Sequence, residues 1–157
     1  MRLKNLAHVR VSNVDKKSVE GEQTVRLCNY TDVYYGDSLA ASNADYMVAS
    51  ASDAQVSAFA LAVGDTVLTK DSETADDIGV SAYIAETAPD FVCGYHLAIL
   101  RPKSGVVHPR YLFWASRGRA MRDQLSLAAT GVTRMGLRTE ALANVRLALP
   151  PYEALRT

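Results

Sequence analysis

Apolar and polar positions alternate with a period of two in several short stretches of this chain, and with a period near 3.6 in only one long one. Residues 24–30 (TVRLCNY) set Val25, Leu27 and Asn29 against Arg26, Cys28 and Tyr30, which predicts a strand with one face more apolar than the other. Residues 66–70 (TVLTK), 79–85 (GVSAYIA) and 91–101 (FVCGYHLAILR) read as further strands, with turns at Gly64 and Asp65 and at Ala88, Pro89 and Asp90. A closing strand alternates Val145, Leu147 and Leu149 against Arg146 and Ala148, and stops at Pro150 and Pro151, which cannot continue a ladder. The long helical pattern begins at His108 and Pro109, with the proline suited to a first helical position. Tyr111, Leu112, Trp114 and Ala115, then Met121, Leu125 and Ala128, form its apolar stripe, and Gly118 breaks it into two short helices. Ser52 and Asp53 cap a shorter helix running through Ala60. Residues 1–22 read as an extended start leading into a charged turn, 31–37 (TDVYYGD) as a loop or turn, and 130–134 as a glycine-containing loop. The expected fold is α+β, with a mixed, mostly antiparallel sheet, short helices and recognition loops.

Size changes this picture little. With 157 residues, 48% apolar and 22% charged, the chain suits one globular domain over residues 1–151. No apolar run approaches the roughly 18 residues that span a bilayer, and MRLKNLAHVRVSN lacks the apolar core of a signal peptide, so a cytoplasmic location is expected. Cys28 and Cys93 sit in separate apolar runs and do not make a disulfide framework.

Charge changes it more. The formal net charge is zero, yet residues 32–90 hold one basic residue against eleven acidic ones, while 101–138 hold eight basic residues against Asp123 alone. The basic third suits a polyanion; the acidic middle would be repelled by one unless it faces elsewhere or pairs with the basic part.

Candidate chemistry gathers in the loops. Thr130, Gly131, Val132, Thr133 and Arg134 offer two hydroxyls, a glycine-freed backbone and a guanidinium, a group able to grip a phosphate or a base edge. Tyr34 and Tyr35 beside Gly36 can stack on a ligand or hydrogen-bond to it. Lys70, Asp71, Ser72 and Glu73 end a strand with donors and acceptors on a rigid base, where Lys70 could neutralise a phosphate and Glu73 or Asp71 accept from a cytosine amine. Arg110, Arg117, Arg119 and Arg122 lie on the polar face of the helical pair. No cofactor or metal site is expected: Cys93 and His96 lack the partners that would complete a zinc set, and DSETADD lacks the alternating ligands and central glycine of a calcium loop. A buried cysteine and a hydrogen-bonded histidine are the expectation there.

Taken in order, VRLCNYTDVY (25–34), GDTVLTKDSETADDIGV (64–80), VCGYHLAILRPK (92–103), PRYLFWA (109–115), TGVTRMGLR (130–138) and LANVRLALPP (142–151) resemble a target recognition domain of the specificity subunit of type I restriction-modification systems. The resemblance runs from about Arg2 to Pro151. It implies a non-catalytic domain that reads one half of a bipartite double-stranded DNA target. It also implies docking to a type I modification subunit that binds S-adenosylmethionine and, in the full complex, assembly with a restriction subunit. The family pattern continues past the double proline into a Glu-Gln pair and a long helix, whereas this chain runs Tyr152 to Thr157 and stops. The expectation is therefore of a single half, with residues 152–157 a truncated start of the helical spacer. Leu149 to Tyr152 also looks like the Asn/Asp-Pro-Pro-Tyr of amino-methyltransferases, but Leu149 cannot accept a hydrogen bond from a target amine, so the chain is not expected to be the methyltransferase itself.

On position and chemistry, Tyr34, Tyr35 and the loop Lys70, Asp71, Ser72 and Glu73 are the expected base readers. Arg117, Thr133 and Arg134 are the expected backbone contacts. The alternative function is a degenerate interaction module that docks a modification subunit without reading DNA.

Overall fold

The computed structural model of the protein describes residues 1–43 and 45–149. Five strands form the larger sheet, in the order β1 (Ala7–Val11), β9 (Leu97–Pro102), β5 (Thr66–Thr69), β7 (Ser81–Glu86) and β3 (Ser38–Ala40). Only the β7 and β3 pairing is parallel. A second sheet places β2 (Gln23–Cys28) between β4 (Met47–Ala51), antiparallel, and β8 (Phe91–Cys93), parallel. A two-stranded ribbon joins β6 (Asp71–Ser72) to β10 (Met135–Gly136). The fold is α+β, and the sheets are mixed and mostly antiparallel, as expected.

The larger sheet is covered on both faces, which is why VLT in β5 and LAIL in β9 are unbroken apolar runs. On one face Leu68, Ala98 and Leu100 pack with Leu112 of α4 (Pro109–Arg117), Met121 and Leu125 of α5 (Arg119–Ala128), Leu3 and Leu6 of α1 (Leu3–Leu6) and Leu142 of α6 (Thr139–Ala143). On the other, Val67, Leu97 and Ile99 meet Cys28, Phe91 and Cys93 from the small sheet and Val33 of α2 (Tyr30–Tyr34). Each such side chain taken fully out of water contributes about 1.5–3 kcal/mol. The sheet is thus fixed between a helical layer and a smaller sheet, and the loops at its ends inherit that rigidity.

The helical expectations hold closely. His108 caps α4, Pro109 is its first residue, and the chain breaks at Gly118 before α5. Ser52 caps α3 (Asp53–Phe59) by accepting from the Gln55 N–H, while the Gln55 side chain accepts from the Ser52 N–H. The apolar stripe needs one correction: Trp114 is 63% exposed, and the helix buries Phe113 and Ser116 instead.

Other readings fail for identifiable reasons. The extended start contains α1 and β1, and the 31–37 turn is α2 for its first half, its entry fixed by the Asp32 carboxylate accepting from the Asn29 N–H. Within 38–63 the short strands β3 and β4 precede α3, and their Ala and Ser residues gave no alternation to detect. The 91–101 run is two strands in different sheets. Gly94 makes the break possible: a Cβ there would lie 2.8 Å from the Cys28 carbonyl oxygen. The closing strand is a single bridge, Arg146 to Arg2, within an extended segment that still buries Val145 and Leu147 and exposes Arg146. Pro150, Pro151 and residues 152–157 lie outside the described residues.

Cys28 and Cys93 stand opposite each other in the register of β2 and β8 as free, buried thiols. Burial pushes both thiols up, and it also pushes the Tyr46 hydroxyl up to about 12 from an ordinary value of 10.0. Tyr46 packs on Phe91 and donates to the Ala40 carbonyl. These groups are acids whose neutral form the fold favours, so their contribution is complete below the unfolded values and is lost as pH climbs toward the folded ones. Stability should therefore decline from about pH 9 upward. Urea titrations should find Tyr46→Phe less sensitive between pH 10 and 12, at a cost of about 1 kcal/mol at neutral pH for the lost hydrogen bond. An identical alkaline decline in both proteins would contradict this.

Candidate nucleic-acid interface

Three segments far apart in sequence meet at one end of the sheet. β6 and β10 pair with Met135 opposite Ser72 and Gly136 opposite Asp71, and the Leu137 N–H donates to the Lys70 carbonyl at 2.8 Å. That ribbon holds the glycine loop against the acidic loop. The glycine loop is itself closed by two hydrogen bonds between Thr130 and Gly136, of 3.0 and 2.8 Å. Gly131 takes φ +147°, and a Cβ there would stand 1.9 Å from the Arg134 carbonyl oxygen, so only glycine fits. Beyond it Val132, Thr133 and Arg134 are exposed.

The third segment is α2. Tyr30 and Tyr34, one helical turn apart, stack with ring centroids 5.5 Å apart, and Tyr35 meets Tyr34 edge-on at 4.9 Å. The Tyr34 hydroxyl donates to the Asp77 carboxylate at 2.9 Å, which fixes α2 to the short 3-10 turn Ala75–Asp77 and holds that hydroxyl above its ordinary range. Tyr30 is also raised, first by burial. Tyr35 is 82% exposed. Between these elements lies a polar cleft of about 370 Å³, lined by Tyr30, Thr31, Tyr34, Tyr35, Glu73, Thr74, Asp77 and Arg134.

Four of the nine residues singled out from sequence, Tyr34, Tyr35, Glu73 and Arg134, therefore line one cleft. Thr133 sits on the hairpin beside it. Lys70 and Asp71 adjoin it in a second cluster. The Asp71 carboxylate is 2.7 Å from Nδ1 of His96 and 3.5 Å from Nζ of Lys70, and Nζ lies 5.0 Å from the centroid of the Tyr95 ring. Ser72 is buried, and its hydroxyl donates to the Thr74 carbonyl, so it shapes the loop from within. Arg117 stands apart on α4, where it bonds Asp37 at 2.8 Å and the Ser81 carbonyl at 3.2 Å. Asp37 is largely exposed, so this ion pair is weak and a phosphate could compete for the guanidinium.

Charge pairing between the acidic middle and the basic third is thus partial. Arg117 meets Asp37 and Arg101 meets Asp65, whereas Arg134 and Glu73 line the same cleft and form no ion pair. The sequence reading missed Tyr30, Asp77, Tyr95 and His96. The Asn-x-x-Asp of Asn29 and Asp32 ahead of YY was a usable capping signal for the first, but the other three depend on tertiary placement. Cys93 is wholly buried in β8 and His96 is bonded to Asp71. Among the described residues no three His, Cys, Asp or Glu side chains come together as a metal site.

No protein-family model matches the sequence, and no curated protein matches it. Solved structures do match in fold. A structure of a type I restriction-modification system, described for its complex assembly and conformational transition, aligns over 99% of this chain and 35% of that one, with TM-score 0.68 and 16% identity. The HsdS subunit from Thermoanaerobacter tengcongensis aligns over 99% of this chain and 34% of its own, with TM-score 0.63 and 16% identity. The type I S subunit from M. genitalium aligns over 92% and 32%, with TM-score 0.52 and 10% identity. The chain spans about a third of the length of these structures and shares their fold across nearly all of its own.

Proposed function

We propose that this chain is a target recognition domain that reads one half of a bipartite duplex DNA target, as a non-catalytic part of a type I restriction-modification specificity subunit. The observation that carries the reading is the convergence of α2, the Lys70 to Asp77 loop and the Thr130 to Gly136 hairpin at one end of a sheet buried on both faces. A rigid base carrying exposed aromatic, acidic and basic side chains suits reading of base edges in the major groove. Tyr34, Tyr35, Lys70, Asp71 and Glu73 reach toward bases, with Ser72 setting the loop's shape. Arg117 and Thr133 fix register on phosphates, and Arg134 approaches from the hairpin. The cytoplasmic modification subunit would hold S-adenosylmethionine and supply the methyl transfer, with a restriction subunit joining the full complex.

Selection from a randomised duplex library, at one stated salt concentration and with and without a modification subunit, tests this. Enrichment of a short half-site supports DNA reading. Docking of a modification subunit with no enrichment in either condition, from folded protein, would favour the interaction-module alternative. Binding should also weaken steeply as salt rises, because phosphate contacts release counterions.

A further inference from the structure

Glu73 and Arg134 pose a question that the cleft itself answers. An acid and a base line one polar cleft with three tyrosines, and both are exposed, yet neither forms an ion pair among the described residues. Both are near enough to act electrostatically on the Tyr30 hydroxyl, in opposite senses. The second carboxylate of the cleft, Asp77, is occupied by the Tyr34 hydroxyl. The cleft therefore keeps one free acceptor and one free donor fork, side by side on a fixed base.

Resting on the DNA-recognition reading, we infer that this cleft specifies a single G·C base pair, with Arg134 donating to guanine O6 and N7 and Glu73 accepting from the cytosine N4 amine. In the major groove a G·C pair presents two acceptors beside one donor, which complements an Arg and Glu placed together. An A·T pair presents an acceptor, a donor and an acceptor in turn, followed by a methyl group, which suits an amide side chain and leaves a carboxylate facing the thymine O4. The carboxylate also has a selective role at a distance: it repels the DNA backbone, so its presence is useful only if it gains a hydrogen bond that the correct base alone supplies.

The test is library selection repeated with the wild type, Glu73→Ala and Arg134→Ala, followed by binding titrations on duplexes that differ at the responding position. The wild type should prefer G·C there by roughly ten-fold or more, and each variant should reduce that preference to about two-fold while leaving the other positions intact. Overall affinity should move in opposite directions. Glu73→Ala should bind mismatched duplexes as well as or better than the wild type, and Arg134→Ala should bind every duplex more weakly.

Enrichment of a half-site in which the two variants respond at different positions, or at a base pair other than G·C, would overturn the inference and leave DNA recognition standing. So would a uniform loss for Arg134→Ala with all preferences kept, which marks a phosphate contact. No enrichment by folded wild-type protein would overturn the recognition reading, and this inference with it.

Discussion

Replacing Gly131 with alanine should abolish most binding to the selected half-site, roughly ten-fold or more, while leaving thermal stability within a few degrees of the wild type. The backbone at φ +147° disfavours any side chain, and the added Cβ would meet the Arg134 carbonyl oxygen at 1.9 Å, so the hairpin must open. Opening it displaces Thr133 and Arg134, which carry a phosphate contact and a base contact, and each lost contact costs about 1–3 kcal/mol of recognition. The fold is spared because Gly131 to Arg134 are exposed and pack against no part of the core. Val132→Ala is the control: that side chain is fully exposed, and its removal should change neither binding nor stability. A Gly131→Ala protein that bound normally would place DNA elsewhere on the surface.

Replacing Arg101 with methionine should lower stability by about 2–3 kcal/mol, a drop of roughly 5–10 °C in Tm. Arg101 grips the Asp65 carboxylate through Nε and Nη2, both at 2.9 Å, and the same Nη2 donates to the Ala60 carbonyl. Asp65 is 1% exposed, so removing the guanidinium strands a buried charge whose remaining partner is the Ala62 N–H. The partly open position of Arg101 moderates the loss below that of a wholly buried pair. Adding Asp65→Asn to Arg101→Met should recover a substantial part of the stability, since the unpaired charge is then gone. If the double variant were as unstable as the sum of the two single ones, the pair would not be an interacting unit. Because the pair lies in the sheet and not on the cleft's lining, half-site affinity measured well below Tm should change little.

How much of this was legible in sequence depends on how local its cause was. Pro109 after His108, Gly118 between two apolar stripes, and Ser52 three residues before Gln55 are instructions read within one helical turn, and each element they predict is present. The buried strands β5 and β9 were also visible as apolar runs, although the 91–101 run could not show that its two halves join different sheets. Gly94 was in plain view, yet its role depends on the approach of the Cys28 carbonyl from another strand. The short α1, β1, β3 and β4 were invisible because each is defined by pairing or packing partners far along the chain.

The candidate site follows the same rule. Tyr34, Tyr35, Glu73 and Arg134 were found by chemistry and loop position, and the fold gathers them into one cleft. Ser72 had the right chemistry, but its hydroxyl is turned inward, because pairing with Met135 in a two-residue ribbon leaves no room for it at the surface. Arg117 was chosen for its place on a basic helix face, and the acidic middle supplies it with Asp37. The charge segregation seen along the chain is therefore resolved in space: part of it is internal pairing, and the part left over faces the cleft.

The central claim is that the end of the sheet formed by α2, the 70–77 loop and the 130–136 hairpin is the face that meets DNA. At 17.0 kDa the chain suits residue-by-residue NMR titration with a selected half-site duplex at moderate salt. The expected result is a continuous set of amide shift changes over residues 30–35, 70–77 and 130–136, with the exposed edge of β4 and the surface of α6 unchanged. Shifts confined to the β4 edge or α6, with that cleft silent, would contradict the account.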